Sequence, residues 1–398
     1  ATSLKCLSIH RKRAAVLAVI VQSDVAVLLP SLLHEKADSI LSVCDGNFKD
    51  SIVIYSIEPL FQPFQLAKLT LKSRIVMSPM TRSFSPNGVP GQNVADYYRR
   101  RAEADVGLII TEGVGIDQPA AIGGGPGAIG EENIPLMHGK AALAGWKKVV
   151  DDVHAAGGLI MPQLWHMGVM RLDGTKSAPS LRPSGVWGPE GKAMLPPEYL
   201  QAQLPVTRPM TESEIADTIA AYARSAAYAK ECGFDGIAIH GAHGYLIDTF
   251  FWGETNKRCD QWGGDIVART RFGAEVIKAI RKAVGPDLPI VLRWSQWKQQ
   301  DYDAQLARNP QELEQFLRPL VDAGVDLFDT STRIYSKPAF EGSNMTLAGW
   351  TRKLSGKPAM AVGGIGLSKD LWSSFAGGTV TINNVELAAG YVERGEFD

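Results

Sequence analysis

Short apolar runs alternate with helical stretches along most of this chain, and that alternation restricts its possible folds more than any other feature. Each run is nearly continuous, as expected for strands buried on both faces of a parallel sheet. Between the runs, helices are predicted, for example over residues 212–232, 270–284 and 311–323. Repeated strand–helix units over this length predict an α/β fold, a (β/α)8 barrel, rather than two domains. The seven predicted strands cover residues 74–79, 107–112, 158–164, 236–240, 289–293, 326–330 and 359–363.

The eighth strand of such a barrel is not evident in the sequence. The chain ends at Glu396-Phe397-Asp398, where that strand would begin. An open barrel would leave an unpaired strand edge beside the ligand-binding end, which is unfavourable. Residues 14–22 are apolar and β-branched, so they are one candidate for the strand, with residues 31–43 as the following helix. The alternative is that the strand is missing.

We therefore divide the chain into an N-terminal extension of uncertain structure, residues 1–56, and a barrel domain, residues 57–398. Basic residues before the apolar run 14–20 could also indicate a targeting segment, but no convincing small-residue cleavage site follows them. Within the barrel domain, the Pro- and Gly-rich insert 169–210 is too long for an ordinary loop. We expect this insert to cover the mouth of the barrel.

Composition argues against several classes of protein. Lys plus Arg total 41 against 42 for Asp plus Glu, so binding to nucleic acid is not indicated. No apolar run reaches the roughly 18 residues that a membrane span requires. The four cysteines form no CxxC pair, which argues against structural disulfides and cysteine metal centres and favours a reducing compartment. We therefore expect a cytoplasmic protein with no membrane or nucleic-acid partner.

The strand 236–240 leads directly into two histidines and a tyrosine, His240, His243 and Tyr245. Residues just past the carboxyl ends of parallel strands face the ligand, so three hydrogen-bond donors are brought to one place. Such a group suits binding an electron-rich oxygen and transferring a proton, as in a reductase. A lone histidine is more often structural, and His-x-x-His can also bind a metal. No nearby Asp, Glu or Cys completes a metal-binding set, so no metal is expected.

Several separate motifs, in the correct order, resemble the old yellow enzymes, which are FMN-dependent ene-reductases built on a TIM barrel. The resemblance runs from about residue 59 to residue 398. No single motif would be specific, but their combination and order are. The motifs are residues 60–66 and 69–82, Thr111-Glu112-Gly113, Pro162-Gln163-Leu164-Trp165-His166, His240-Gly241-Ala242-His243-Gly244-Tyr245, residues 256–264, and Leu292-Arg293.

This resemblance implies a set of FMN contacts. The loop after the first strand would line the flavin, and a glutamine would bind the pyrimidine end of its ring. An arginine would lie against the N1–O2 side, where positive charge stabilises the anionic reduced flavin. A glycine-rich turn after the seventh strand would offer backbone amides to the phosphate. In this sequence the implied contacts are Pro79, Met80, Thr81, Gly113, Gln163, Arg293, Gly363 and Gly364.

The resemblance also implies roles in binding and reducing a small-molecule alkene, such as an enone, enal or nitro-olefin. His240 and His243 would bind the carbonyl or nitro oxygen, and Trp165 would line the substrate site. After hydride transfer from flavin N5 to the β-carbon, Tyr245 would protonate the α-carbon. NADH or NADPH would reduce the flavin first, and the protein would be a monomer or a homodimer.

Other interpretations remain open. Many relatives carry a Gly-Arg pair after strand eight that binds the FMN phosphate, whereas this chain ends earlier and is short at its C-terminus. The chain could therefore be a flavin-poor or inactive barrel that acts as a binding or remnant protein. A weaker alternative is a metal-dependent enzyme that uses His240 and His243. Arg293 could instead be a structural ion-pair partner, and Lys298 and Asp301 are expected to be surface charges.

Overall fold

The computed structural model describes residues 56–123, 133–172, 178–193, 195, 197–368, 381 and 385–398. A short antiparallel hairpin, β1 (Phe64–Leu66) and β2 (Leu69–Leu71), precedes a parallel sheet of seven strands whose spatial order follows the chain. All seven predicted strands are confirmed. They are β3 (Val76–Met77), β4 (Leu108–Gly115), β5 (Ile160–Trp165), β6 (Ile237–His240), β7 (Ile290–Ser295), β8 (Leu327–Ser331) and β9 (Ala359–Val362).

Helices connect the strands, as the α/β prediction requires. Three of them, α4 (Glu212–Glu231), α7 (Arg271–Val284) and α8 (Pro310–Ala323), confirm the three helices predicted from the sequence. α4 begins at a capping box in which Thr211 and Glu214 satisfy each other's backbone amides. The described helices are α1 (Gln92–Glu103), α2 (Lys140–Ala155), α3 (Pro197–Gln203), α4 (Glu212–Glu231), α5 (Leu246–Phe251), α6 (Ile266–Arg269), α7 (Arg271–Val284), α8 (Pro310–Ala323), α9 (Leu347–Ser355) and α10 (Val385–Glu393).

The hairpin closes the amino-terminal end of the sheet. Leu66 and Leu71, each 2% exposed, pack against the apolar residues at the start of the inner face. Because this end is filled by side chains, a ligand on the inner face can lie only toward the carboxyl ends of the strands. The inner-face residues in this cluster are Leu108, Ile110, Met161, Ala238, Val291 and Leu327.

The two edge strands of the sheet, β3 and β9, are bridged by the last residue of the chain. The Asp398 backbone N–H donates to Ala359 O at the start of β9 (2.9 Å). Its carbonyl oxygen accepts from Arg74 Nη1, just before β3, at 3.1 Å. The sheet is therefore curled, and Asp398 lies where an eighth strand was predicted to begin. The proposals for residues 14–22 and 31–43 fall outside the described part of the chain.

The described residues of the long insert pack against the segment that follows α5. Ser184 Oγ accepts a hydrogen bond from Lys257 N (2.7 Å), and Pro183 O accepts one from Arg258 Nη1 (2.7 Å). Both partners belong to the segment that follows α5. Tyr199, in α3, donates a hydrogen bond to Met170 O, which ties the two ends of the insert together. That the insert covers the mouth of the barrel stays a prediction.

Candidate active site

The inner face of the sheet changes from apolar to polar over two residues in four adjacent strands. Side chains two apart in a strand point to the same face, so each apolar residue near the hairpin is followed by a polar one nearer the mouth. His240, Arg293 and Asp329 are direct register partners on β6, β7 and β8, and Gln163 pairs with Gly113 of β4. The four changes are Met161 to Gln163, Ala238 to His240, Val291 to Arg293, and Leu327 to Asp329.

The histidine pair, Tyr245 and Trp165 form one aromatic cluster above this polar layer. The ring centroid of His240 lies 5.0 Å from that of His243 and 4.8 Å from that of Tyr245. Trp165 packs edge-on against Tyr245 at 5.0 Å and stacks with His240 at 6.2 Å. The predicted catalytic and substrate-binding residues are thus brought together at the end of β5 and β6.

His243 occupies a turn that a non-glycine residue rarely adopts, with φ of 65°. Its backbone N–H donates to Ser295 Oγ (3.0 Å), and its Nε2 lies 2.7 Å from Ser331 Oγ. Trp297 stacks on the imidazole at 4.3 Å between centroids. Partners from the ends of β7 and β8 therefore hold both the backbone and the ring of His243. Sequence reasoning missed these three residues.

Burial sets the protonation state of the cluster. Loss of water contact, and then the charge of Arg293, lowers the pKa of His240 well below its usual value. Burial likewise lowers the pKa of His243, with further contributions from His240, Arg293 and Lys298. Burial raises the pKa of Tyr245 to about 12, although a hydrogen bond with Gln299 opposes the shift. At neutral pH the site therefore holds two neutral imidazoles and a protonated phenol.

Arg293 has protein partners of its own. Its Nε donates to Asp329 Oδ2 at 2.6 Å, and both side chains are almost completely buried. Nη2 lies 3.4 Å from Ser78 Oγ, next to the loop that begins at Pro79. The ion-pair alternative for Arg293 is thus confirmed, while its contact with a flavin stays a prediction. The pair fixes the orientation of the guanidinium in the polar layer.

The loop after β3 lies at the mouth of the sheet. Met80 is 48% exposed, which is unusual for a large apolar side chain. Thr81 is also exposed. The loop is anchored by the buried carboxylate of Glu112, whose Oε2 accepts from Arg82 N at 3.0 Å. Burial raises the pKa of Glu112, and the Arg82 amide opposes that shift. Glu112 was part of a sequence motif, but this anchoring role was not predicted.

Local packing and backbone angles explain why glycine occupies the predicted glycine positions. A Cβ on Gly113 would lie 2.5 Å from Trp165 Cε3, so only glycine lets that indole lie flat against β4. Gly363 has φ of 137°, and a Cβ there would lie 2.4 Å from Thr332 O. Gly364, with φ of 70°, continues the same turn after β9. Contacts of these backbones with a cofactor remain predictions.

Several buried polar atoms near this layer have no hydrogen-bond partner within the part of the chain that the structure describes. Gln163 Nε2 and His240 Nδ1 are among them. A buried polar atom left unpaired is costly, so both are suited to a planar polar ligand. Among the described residues, no group of three or more His, Cys, Asp and Glu side chains is arranged to bind a metal ion.

The expectation that Lys298 is a surface charge is wrong. Its side chain is fully buried and its Nζ lies 2.7 Å from Oδ1 of the equally buried Asp248. Asp248, in the first turn of α5, provides the opposite charge that allows a lysine to lie inside. Asp301 is half-buried, and its backbone O accepts from Lys298 N at 3.0 Å.

A model of the NADH:flavin oxidoreductase / NADH oxidase family matches residues 59–376 of this chain. The chain belongs to this family. A solved structure of the family type, an old yellow enzyme homologue from Zymomonas mobilis, covers 85% of this chain and is itself covered over 86% of its length. It superimposes with a TM-score of 0.67 at 26% identity. The resemblance to the old yellow enzymes and the barrel-type fold are thereby confirmed.

Two curated relatives match a shorter part of the chain. The 12-oxophytodienoate reductase 7 of Oryza sativa subsp. japonica is 39% identical over 236 residues, which is 58% of this chain and 56% of that protein. A protein of Claviceps fusiformis named probable inactive dehydrogenase easA is 40% identical over 230 residues, which is 57% of this chain and 56% of that protein. The chain thus spans about half the length of these relatives. In the described part of this family member, no helix is both long and apolar enough to cross a membrane.

Stability should fall as the pH drops below neutral, because histidines are buried uncharged. Burial, aided by the charge of Arg171, lowers the pKa of His166 to about 3. The unfolded chain binds a proton near its ordinary value of about 6.5, whereas the folded chain does not until much lower pH. The contribution of His166 to the free energy of unfolding is therefore fully present above about pH 6.5 and is lost as the pH falls toward 3. Because of His166 alone, the free energy of unfolding should be about 2 kcal/mol lower at pH 5 than at pH 7.

Urea unfolding at pH 7 and pH 5 measures this loss. His166→Gln serves as the control because glutamine can accept the Gly168 N–H bond that His166 Nδ1 accepts at 2.9 Å. The variant should lose about 2 kcal/mol less than the wild type over the same pH change. Equal losses in the two proteins would show that His166 does not titrate as its burial implies.

Proposed function

We propose that this protein is an FMN-dependent NAD(P)H oxidoreductase that reduces activated C=C bonds of enones, enals or nitro-olefins. The observation that carries the proposal is the cluster of two neutral imidazoles and a protonated phenol at the carboxyl end of the sheet. A neutral imidazole pair can donate hydrogen bonds to a developing oxyanion, and a phenol can supply a proton. Family membership adds the flavin chemistry that this cluster needs.

The residues of the polar layer fit FMN. Gln163 Nε2 is buried without a partner in the described chain, and the Arg293 guanidinium is held in place by Asp329. FMN, when bound, supplies the hydride chemistry that amino-acid side chains lack. The residues proposed to hold it are Pro79, Met80, Thr81, Gly113, Gln163, Arg293, Gly363 and Gly364.

The chain's own residues bind and polarise the alkene. His240 and His243 would donate hydrogen bonds to its carbonyl or nitro oxygen, where negative charge develops during reduction. The Tyr245 hydroxyl would deliver its proton to the α-carbon. Trp165, which packs against both His240 and Tyr245, would form one wall of the substrate site. The insert, which is predicted to cover the barrel mouth, would limit water entry.

Flavin content tests this function. The purified chain should be yellow, NADH or NADPH should bleach it without oxygen, and an added enone should restore the colour. A second candidate is a barrel that binds ligands without turnover, which is favoured by the Claviceps fusiformis relative that is named probably inactive. A yellow protein whose colour no alkene restores would support that candidate. A colourless protein that takes up no added FMN would contradict both the cofactor and the activity.

A further inference from the structure

The ion pair between Asp248 and Lys298 donates no group to the proposed reaction, although burial and then nearby charges, that of Lys298 among them, lower the pKa of His243. Both side chains are fully buried, and the Lys298 Nζ to Asp248 Oδ1 distance is 2.7 Å. Asp248 belongs to α5, which begins directly after Tyr245, and Lys298 belongs to the loop after β7. The pair therefore joins the helix that follows Tyr245 to the loop that follows β7.

Asp248 of the pair is hydrogen-bonded to Gly244, the residue between His243 and Tyr245. The second oxygen of Asp248 accepts from Gly244 N at 2.7 Å. Lys298 Nζ also donates to Ser295 O at 2.7 Å, at the end of β7. Gln300 Nε2 donates to Gly244 O at 3.2 Å, so both backbone polar groups of Gly244 are held from below. The centre of the loop is thus fixed as well as the His243 backbone, which donates to Ser295 Oγ.

A gain in folding stability does not explain why these two charges are buried together. Removing two charges from water costs several kcal/mol per ion, and apolar residues in their place are often no less stable. Burial raises the pKa of Asp248 and lowers that of Lys298, while their mutual attraction opposes both shifts. Buried pairs are better suited to selecting one geometry than to adding stability.

The geometry selected here is an unusual one. His243 and Gly244 have φ of 65° and 80°, so two consecutive residues lie in the left-handed region. For a non-glycine residue that region is unfavourable, and it persists only where the surroundings impose it. The turn places the rings of both His243 and Tyr245 within 5.0 Å of the His240 ring, centroid to centroid. The bonds of Asp248 and Gln300 to Gly244 are part of these surroundings, beside the bonds that hold His243 itself.

We propose that Asp248 and Lys298 are positioning residues that hold Gly244, and through it His243 and Tyr245, in the arrangement needed for alkene reduction. This inference rests on the proposed function for its catalytic consequence but not for its structural one. Neither residue is among those proposed to contact substrate or cofactor. The pair acts through the backbone of the loop between the two catalytic side chains.

Three variants test the proposal: Asp248→Asn, Lys298→Met and the double variant. Asparagine keeps an acceptor for Gly244 N–H but loses the ion pair, and methionine keeps the length of lysine without its charge. Hydrogen exchange of the peptide covering 241–246 should rise about tenfold in both single variants. The rate of alkene reduction should fall about tenfold to 100-fold, with the flavin content unchanged. The double variant should lose no more than either single variant, because the same interaction is removed in all three.

Asp326→Asn is the matched control. Asp326 pairs with Arg281 and accepts from Ile290 N (2.8 Å), at the opposite end of β7. This control should reduce stability without changing exchange in 241–246 or the alkene rate. Unchanged exchange in the Asp248 and Lys298 variants, or an equal loss of rate in the control, would overturn the proposal. If exchange rises as expected but the wild type reduces no alkene, the positioning role stands and the proposed function fails.

Discussion

Tyr245→Phe is expected to slow alkene reduction by about 100-fold or more, the usual contribution of a well-placed general acid. Phenylalanine keeps the ring that packs against Trp165 and His240 but removes the hydroxyl proton. The pKa of about 12 means that this proton is present at every ordinary pH. Reduction of the flavin by NAD(P)H needs no proton from this residue and should change little. Anaerobic stopped-flow measurement of the two half-reactions separates the effects.

Tyr222→Phe is a suitable control for this experiment. Tyr222 is also fully buried, lies in α4 behind the sheet, and its hydroxyl has no hydrogen-bond partner among the described residues. Its loss should leave both half-reactions unchanged. If Tyr245→Phe slowed both half-reactions equally, the residue would have a structural role. If it slowed neither, another group would have to supply the proton.

The second large effect is expected from removing the histidine pair. A phenol resembles the enolate that forms during alkene reduction, so its oxygen should accept hydrogen bonds from both imidazoles. Each hydrogen bond to a charged oxygen contributes about 1.5–3 kcal/mol. His240→Ala with His243→Ala should therefore weaken phenol binding about 100-fold or more. Titration with the phenol, followed by the visible spectrum of the bound flavin, gives the affinity directly.

The backbone of His243 suggests a more informative comparison. Alanine is strained at φ of 65°, whereas asparagine tolerates this region and still offers an N–H donor. His243→Asn should therefore keep phenol affinity within about tenfold of the wild type, although its donor is shorter. An affinity that stays unchanged in the double alanine variant would show that the pair does not bind the oxyanion.

The sequence was sufficient to predict the strands because each is a continuous apolar run between helices with clear end signals. The end of β4 was less evident, since Gly113-Val114-Gly115 lacks the β-branched pattern of its first half. The hairpin at the base was not predicted because its three-residue strands are too short to show a pattern. Its importance follows from where it packs, which the local sequence does not encode.

The central site residues were predictable because His240, His243 and Tyr245 lie within six positions at the end of one strand. Their partners were not. Ser295, Trp297 and Ser331 are far away in the chain, and only the register of β6, β7 and β8 brings them to His243. Lys298 was assigned to the surface because a charged loop residue usually lies there. Only the position of Asp248 shows why this lysine is buried.

Leu66 and Leu71 of the hairpin exclude solvent from the amino-terminal end of the proposed enzyme. Among the described residues this end offers no access, so reductant and alkene would both approach from the carboxyl end of the sheet and could not occupy the site together. A molecule shaped like either one would compete with both. The oxidised nicotinamide would therefore have to leave before the alkene binds.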